Sequence, residues 1–459
     1  MANLIERVRW GAFVARHLPR ERRLPFQPLA RTLGLQRRRI RAMVAHAAAT
    51  VPFYREALHD LGASAEEFST AEDLARLPLI SAADLASAPE RFLSEHFRGE
   101  ESLPFFTSGT SGLAKTIHFD KAALFHSLVA GQRRRRVHAH FLGRDLGHRE
   151  VSLLWQNAIA LRLRTFYEEH LWVPRRFDYM RVALLPAAPV EELVARINEV
   201  RPVMMRGYGS TLGALFRLAN ERGLTLAPPR LVMFGSDAMP DDERRLIEET
   251  YGTPVVSDYA AVEALRIAFQ CERRLGHHVD IDQVAVRVVG PDGAAVGPGG
   301  TGRIVISCLT NRAMVILNYD LGDVVTLGAG PCPCGRTLPT LERIVGRADE
   351  AVLHRDGYAL HALVVLPPLQ KVPGVRQVQL VQEGERSFLV RVVAAPGAGW
   401  RTVPPGIEAA LASRLGEGLV VRVEAVERLV AESGGKVKGV ICLLPETPRH
   451  AAATRPLSP

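Results

Sequence analysis

The chain has 459 residues, of which 47 % are hydrophobic, and its 58 basic and 49 acidic side chains give a formal net charge of +9. This length exceeds one ordinary hydrophobic core, and the sequence has neither an apolar run near the ~20 residues of a membrane helix nor a secretion signal. We therefore expect two or more domains in a cytoplasmic protein without a transmembrane segment.

The positive charge is carried almost wholly by arginine. The densest run, Arg133 to Arg136, continues a helix-like stretch from Lys121 and indicates a solvated helix face. Surfaces that stack bases interleave aromatic with basic residues, and this run does not, so no nucleic-acid partner is expected. The charge instead favours small anionic ligands such as ATP or CoA.

The predicted elements begin with a helical N-terminal region over 1–100, followed by a helix over 120–142. Strands are then predicted at 151–155, 181–185, 203–205, 231–234 and 254–259, and helices at 189–199, 209–222 and 241–252. This alternation predicts an α/β fold with a large, layered N-terminal body. Short strands with glycine-rich turns from 278 to 327 predict a β-rich subdomain.

A compact α+β unit is predicted near the end of the chain. Its strands fall at 376–381, 387–393 and 419–425, and its helix at 406–415. The predicted domains are a nucleotide-binding body over 1–348, a small mobile C-terminal α+β domain over 349–444 and a disordered tail over 445–459.

The most informative stretch is FFTSGTSGLAK at residues 105–115. Glycines let the backbone approach an anion closely, while hydroxyls, backbone N–H groups and a lysine bind it. The spacing does not fit the common GxxxxGK[ST] loop. The residues expected to hold a nucleotide phosphate are Thr107, Ser108, Gly109, Thr110, Ser111, Gly112 and Lys115.

Further motifs lie downstream. They are MFGSDAMPDDE at 233–243 and SDYAAVEA at 257–264, LGD at 321–323, RIVGRADE at 343–350 and SGGKVKG at 433–439. Together with TSGTSGLAK they resemble the adenylate-forming superfamily, and most closely its phenylacetate-CoA ligase branch, including capsule-biosynthesis relatives. The resemblance spans nearly the whole chain.

The resemblance implies a role for each motif. Gly235, Ser236 and Asp237 align with the adenine-binding stretch, and Asp258 and Tyr259 begin the motif that ends in Glu263, whose carboxylate oxygen suits Mg²⁺. Asp323 aligns with the carboxylate that binds both ribose hydroxyls. Arg347 is implied to lie near the nucleotide, with a solvent salt bridge as its alternative. Asp349 is implied to be the hinge, and Lys436 to swing in with the small domain as a catalytic residue.

The sequence also departs from the family pattern. Val262 replaces the threonine before the motif glutamate, Ala260 replaces a glycine, and residues 318–323 read NYDLGD instead of RYRTGD. Loss of one phosphate-contacting hydroxyl costs about 1–3 kcal/mol. The nucleotide site is therefore expected to be altered but not erased.

The cysteines suggest a metal site. CPCG points two thiolates at one centre, and Cys271 with His278 completes a Cys3His set together with Cys332 and Cys334, appropriate to structural Zn²⁺. His277 is a weaker substitute for His278. Reduced, buried thiols are the alternative, since five cysteines are an odd number and disulfides are not expected.

These features favour a ligase that uses ATP and Mg²⁺ to convert an aryl or related small organic acid to an acyl-adenylate and then transfers the acyl group to CoA. Two alternatives stay open. One is transfer to an amine, a hydroxyl or a carrier protein in natural-product or polysaccharide synthesis, and the other is a non-catalytic nucleotide-binding homologue. The oligomeric state is also open, with a homodimer as one option.

Overall fold

The computed structural model describes residues 4–97, 102–106, 115–144, 147–156, 158–172, 180–347, 351–354, 359–395, 397, 399–429 and 439–444. The helices are α1 Leu4–Arg23, α2 Leu29–Thr50, α3 Pro52–Asp60, α4 Ala82–Ser87, α5 Lys121–Ala130, α6 Arg135–Leu142, α7 Ile159–His170, α8 Val190–Val200, α9 Gly209–Glu221, α10 Asp241–Arg245, α11 Ala362–Gln370 and α12 Val403–Leu415. The strands are β1 Ser102–Phe106, β2 Thr116–Asp120, β3 Glu150–Leu153, β4 Arg181–Leu184, β5 Met204–Tyr208, β6 Leu231–Gly235, β7 Val255–Tyr259, β8 Ala268–Gln270, β9 His277–Val279, β10 Val284–Val289, β11 Thr301–Cys308, β12 Tyr319–Leu327, β13 Thr340–Arg347, β14 Ala351–Leu353, β15 Ala359–His361, β16 Val375–Gln382, β17 Ser387–Ala394, β18 Val420–Ala425 and β19 Val440–Cys442.

The body is built on an 11-stranded sheet with strand order β10-β11-β12-β13-β9-β8-β7-β6-β5-β3-β4. Strands β3 to β7 pair in parallel, and such strands need cover on both faces. Ile197 of α8 and Phe216 of α9 pack on one face, and Val137 of α6 packs on the other. The layered α/β body predicted from the alternation of strands and helices is therefore confirmed.

The β-rich stretch continues this same sheet instead of forming a separate one. Strand β7 pairs antiparallel with β8, β8 with β9, and β9 with β13. The β7–β8 and β9–β13 contacts hold only two residue pairs each, so they form a narrow seam between the parallel half and the longer strands β10 to β13. The sequence-based separation of a β-rich subdomain missed this continuity because the two joining strands are only three residues long.

The N-terminal helices pack onto the body through one deeply buried cation. Arg133, only 1 % exposed, pairs with Glu21 of α1 and with Asp280 and Asp282 after β9. Arg134 is buried as well, at 8 % exposure. The prediction of a solvated face over Arg133 to Arg136 is therefore wrong for its first two members, because carboxylates distant in sequence compensate them.

The C-terminal unit has its own 4-stranded sheet, with order β18-β17-β16-β19. Leu380 and Val390 of this sheet pack with Ile407 and Leu411 of α12 in a core separate from that of the body. Arg376 on β16 lies 3.5 Å from Glu221 at the end of α9. Within the part of the chain that the structure describes, no helix is both long and apolar enough to cross a bilayer.

Candidate active site

The carboxyl ends of β5, β6 and β7 lie side by side, which is where ligands of open α/β sheets bind. Strand β6 ends at Gly235, and Ser236 follows with a φ of 71°, in the left-handed region. A Cβ at Gly235 would stand 3.1 Å from the carbonyl oxygen of Asp258, so a side chain there would crowd β7. Gly235 therefore exposes main-chain atoms without a side chain at this edge.

The carboxylate of Asp237 is directed at a helix. It accepts hydrogen bonds from the backbone nitrogens of Gly209, at 2.5 Å, and Ser210, at 3.3 Å, and from the Ser210 hydroxyl. Such a carboxylate satisfies the unpaired N–H groups that begin a helix, here α9. Asp237 thus holds the GSD turn in place, a contribution that its alignment with an adenine-binding residue did not predict.

Asp258 contacts a cation that sequence reasoning missed. The Arg134 guanidinium donates to Asp258 Oδ2, while Asp258 Oδ1 is buried and accepts no hydrogen bond from any described residue. Arg134 lies in a single 3₁₀ turn between α5 and α6, 124 positions before its partner. One acceptor oxygen of Asp258 is therefore left over inside the site.

Tyr259 and Asp323 meet directly. The Tyr259 hydroxyl donates to Asp323 Oδ2 at 2.6 Å, and burial together with the Asp323 charge raises the pKa of Tyr259, which keeps the phenol protonated. Arg347 donates to the carbonyl of Leu321 at 2.9 Å and lies 3.4 Å from Asp323 Oδ1. The register of β12 against β13 pairs Asp323 with Arg347 and so sets this contact.

Gly322 allows the irregular backbone inside β12 just before Asp323, where the register of β12 against β11 shifts. Its φ is 78°, and a Cβ built on it would stand 2.9 Å from an Arg347 guanidinium nitrogen. The Asp320 carboxylate accepts a hydrogen bond from Gly322 N at 3.0 Å and also pairs with Arg303. The altered LGD motif therefore keeps the glycine that this backbone conformation requires.

Lys115, Glu263 and Tyr319 form a closed triangle of polar groups. Lys115 Nζ donates to Glu263 Oε1 at 2.7 Å and to the Tyr319 hydroxyl at 2.7 Å, and this hydroxyl donates to the same Oε1 at 2.9 Å. Burial tends to raise the pKa of Glu263, but the Lys115 charge and the donated hydrogen bonds hold it below its usual value. The carboxylate is therefore ionised and compensated inside the protein.

The triangle and the Tyr259–Asp323 pair belong to one site. Glu263 follows Tyr259 by four residues, and Asp323 follows Tyr319 by four residues along β12. Sequence reasoning treated Tyr319 only as part of a motif. The one signal that pointed to it was its position in NYDLGD, where the family pattern also has tyrosine.

Several predicted residues lie outside the described part of the chain. These are Thr107, Ser108, Gly109, Thr110, Ser111 and Gly112 of the phosphate loop, the hinge Asp349 and the catalytic Lys436. The strands that border the loop are described, and their register pairs Phe106 with Thr116. The two ends of the loop are therefore held together beside Lys115.

A second polar cluster lies at the seam of the sheet. The ligand atoms of Cys271, His278, Cys332 and Cys334 all fall within 4.8 Å of one another. Cys271 Sγ is 3.7 Å from Cys332 Sγ, and Cys334 Sγ is 3.3 Å from His278 Nε2. His278 Nδ1 faces the carbonyl of Leu338 at 3.3 Å, which leaves Nε2 as the ligand atom.

The neighbouring His277 points away from this cluster. Its Nε2 lies 2.5 Å from the Ser257 hydroxyl on β7, because successive residues of a strand face opposite sides. The donor set of the cluster is thus three sulfurs and one imidazole, which suits a tetrahedral metal such as zinc. Arg336 follows the CPCG segment and stabilises it through an ion pair with Glu272.

The fold described above, with polar residues at the carboxyl edge of its parallel strands, is the acyl-CoA ligase fold. A 2-hydroxyisobutyryl-CoA ligase solved in the postadenylation state with 2-HIB-AMP has a TM-score of 0.70 at 20 % identity, and the match covers 92 % of this chain and 91 % of that one. Against the same ligase with CoA in the thioesterification state the TM-score is 0.59.

Sequence relatives carry a more particular name. A phenylacetate-coenzyme A ligase of Thermus thermophilus is 28 % identical over 381 residues, or 78 % of this chain and 82 % of the relative. One of Escherichia coli K12 is 21 % identical over 347 residues, or 70 % and 72 %. No family model matches the chain. These matches confirm the resemblance to phenylacetate-CoA ligases that the motifs predicted.

Proposed function

We propose that the chain is an ATP-dependent acid–thiol ligase. A carboxylate oxygen bonds to the α-phosphorus while the bond to pyrophosphate breaks, and the CoA sulfur then bonds to the carbonyl carbon while AMP leaves. The observation that carries the proposal is that the Lys115–Glu263 and Tyr259–Asp323 contacts lie at one sheet edge, in a fold shared with a ligase solved with an acyl-adenylate. Positioning and charge stabilisation suffice for both steps, so no protein nucleophile is required.

In this proposal the nucleoside binds against β6, β7 and β12. The ribose hydroxyls donate to the carboxylate of Asp323, which Tyr259 and Arg347 hold in place. The bare backbone at Gly235 and Ser236 faces the adenine, and the unused Oδ1 of Asp258 is an acceptor suited to an exocyclic amino group. Asp237 stabilises this turn by accepting a hydrogen bond from the first residue of α9, Gly209.

The phosphates bind at the loop and at Lys115. Thr107, Ser108, Gly109, Thr110, Ser111 and Gly112 are assigned to this role from the sequence pattern alone, as are Lys436 for adenylation and Asp349 for rotation of the 349–444 domain against the 1–348 body. The Glu263 carboxylate fits Mg²⁺, since it is an ionised oxygen donor beside the phosphate-binding lysine. The metal supplies charge neutralisation for the leaving pyrophosphate.

The Cys3His cluster is assigned to zinc with a structural role. Four protein donors complete a tetrahedral site and leave no position for substrate. The cluster lies at the seam between the two halves of the sheet, next to β9 and β13. A zinc ion there would hold β13, which carries Arg347, together with β8 and β9, which lie between β13 and the Tyr259 strand β7.

An aryl or related small acid is the proposed substrate, and CoA the proposed acceptor. The named relatives are ligases of phenylacetate and coenzyme A, and the similar solved structures include one with CoA. A cytoplasmic location is part of the proposal, because ATP and CoA are available there. A homodimer is an option that size-exclusion chromatography with light scattering tests directly.

The test is ATP–pyrophosphate exchange over a panel of aryl and aliphatic acids, beginning with phenylacetate. Acid-dependent exchange together with a CoA thioester in the product mixture supports the proposal. Exchange without thioester, but with an amide, ester or carrier-bound product, favours the other acceptors. ATP binding by calorimetry without exchange for any acid favours a non-catalytic homologue.

A further inference from the structure

Tyr319 is held rigidly at the start of β12. It is 1 % exposed, its backbone pairs with Ile306 of β11, and it bridges to Ile80 on its other side. The preceding Asn318 has a φ of 55°, and its side chain donates to the carbonyl of Leu77 at 2.6 Å. These contacts fix the backbone from which the ring of Tyr319 extends.

The hydroxyl of Tyr319 has a defined proton arrangement. An ammonium group can only donate, so the hydroxyl accepts from Lys115 and must give its own proton to Glu263 Oε1. Burial and the adjacent Glu263 charge raise the pKa of Tyr319, which keeps this proton in place. Glu263 Oε1 thus receives two hydrogen bonds, one from a mobile lysine and one from a fixed ring.

Under the proposed function, MgATP would separate the partners of this triangle, since the Lys115 ammonium would bind the phosphates and the Glu263 carboxylate would bind the metal. A buried carboxylate that loses a compensating donor is costly and loses its fixed orientation. The Tyr319 hydroxyl does not move with Lys115, because it belongs to the strand. It therefore remains on Glu263 after the lysine has left.

We propose that Tyr319 is a positioning residue that keeps the Glu263 carboxylate oriented for Mg²⁺ while Lys115 transfers from this carboxylate to the nucleotide phosphates. The inference rests on the proposed function. It adds to that function a specific contribution of Tyr319 to magnesium preference, which a merely structural tyrosine would lack.

Tyr54 provides a matched control. It is also a fully buried tyrosine, at 0 % exposure, and its hydroxyl bonds only main-chain groups, the carbonyl of Val315 at 3.2 Å and the N–H of Leu317 at 2.8 Å among them. Tyr54→Phe therefore removes buried hydrogen bonds from the segment that leads into β12 without touching Glu263. Any general loosening of this region appears in both variants.

The experiment measures the dissociation constant of ATP by calorimetry on the full-length protein, once in excess Mg²⁺ and once in EDTA. The ratio of the two constants is the magnesium preference. Tyr319→Phe is expected to lower this ratio about 10-fold, the effect of one hydrogen bond to a charged group. Tyr54→Phe should leave it within about twofold of the parent.

The outcomes separate the inference from the function on which it rests. Equal weakening of ATP binding under both conditions, or an unchanged ratio, overturns the role of Tyr319 while the ligase proposal stands. A parent protein that binds ATP under neither condition overturns both. If Tyr319→Phe does not fold, Tyr319→Met is measured in its place and must meet the same expectation.

A double variant sharpens the result. Glu263→Gln is expected to abolish most of the magnesium preference, because an amide is a poor substitute for an ionised oxygen ligand. Adding Tyr319→Phe to Glu263→Gln should then change the ratio no further, since the hydroxyl acts through that carboxylate. A further, independent fall of the ratio would contradict the proposed route.

Discussion

The nucleotide end of the sheet and the Cys/His cluster are both polar sites inside the same body, but they differ in how their groups are satisfied. At the proposed nucleotide site the Lys115 ammonium compensates the Glu263 carboxylate, a contact that a bound ligand can replace, while Tyr259 and Arg347 hold the Asp323 carboxylate in place. In the cluster the ligand atoms of three thiols and an imidazole lie within 4.8 Å of one another, a donor set suited to a metal cation. The first site therefore suits a ligand that binds and leaves, whereas the second suits a metal ion that stays bound.

The two sites use strands of the same sheet. The nucleotide residues come from both halves of the sheet, with Tyr259 on β7 and Asp323 on β12. Between these strands lie β13 and the short strands β9 and β8, and the Cys/His cluster includes Cys271 directly after β8 and His278 on β9. We propose that a zinc ion bound at this seam would hold the two halves of the sheet in register.

The largest expected effect is at the exchangeable site. Glu263→Gln should slow ATP–pyrophosphate exchange about 1000-fold, because it removes the negative charge that pairs with Lys115 and that is assigned to magnesium. Glu243→Gln is the control, since Glu243 is another buried carboxylate, paired with Arg217 on α9. Equal losses in both variants would show that burial of a charge, and not its position, matters.

Loss of the Cys/His cluster should mainly lower the stability of the fold. Metal analysis of the parent should give one zinc per chain, and Cys334→Ser should lose it and unfold roughly 5–10 °C lower in calorimetry. Cys442→Ser is the control, because Cys442 lies on β19 outside the cluster. Metal-free parent protein with an unchanged unfolding temperature would instead support plain, reduced thiols.

Asp323→Asn should have a smaller effect on the nucleotide. The amide cannot accept from Tyr259 and two ribose hydroxyls as an ionised carboxylate does, so the KM for ATP should rise about 10-fold with a smaller change in kcat. The KM for the acid should stay near the parent value. An equal rise for both substrates would indicate collapse of the site.

The smallest expected effect is at His277, which separates the two neighbouring imidazoles. His277→Asn loses the contact with Ser257 and should cost about 1 kcal/mol of unfolding free energy while keeping the metal. His278→Asn should release the metal. Burial lowers the pKa of His277 from 6.5 to about 3, so only the unfolded chain binds a proton here between these values, and stability should rise with pH up to about 6.5 and stay constant above about pH 7. Loss of zinc from His277→Asn would reverse the ligand assignment.

Much of the fold was readable because it depends on local patterns. The buried run of β6 and the strand PVVSDY have the composition of parallel strands, and CPCG specifies its own turn. The layered body and the C-terminal α+β unit follow from such segments. The motif residues Tyr259 and Asp323 were also assigned from sequence, and the structure brings them together.

The features that could not be predicted from the sequence depend on contacts between residues that are far apart in the chain. Lys115 and Glu263 are 148 positions apart, so no pattern shows that they pair when ligand is absent. The burial of Arg133 depends on Glu21 and on carboxylates after β9. Asp237 was assigned to a ligand, whereas its contact with the start of α9 follows only from the tertiary arrangement.

The left-handed backbone at Gly322 inside β12 has a consequence for engineering. Any larger residue there would meet both a backbone conformation disfavoured for side chains and the guanidinium of Arg347. Mutant libraries that aim to redirect the enzyme to new acids should therefore keep positions 320–323 constant, since diversity at this point would mostly yield clones that cannot hold the cosubstrate.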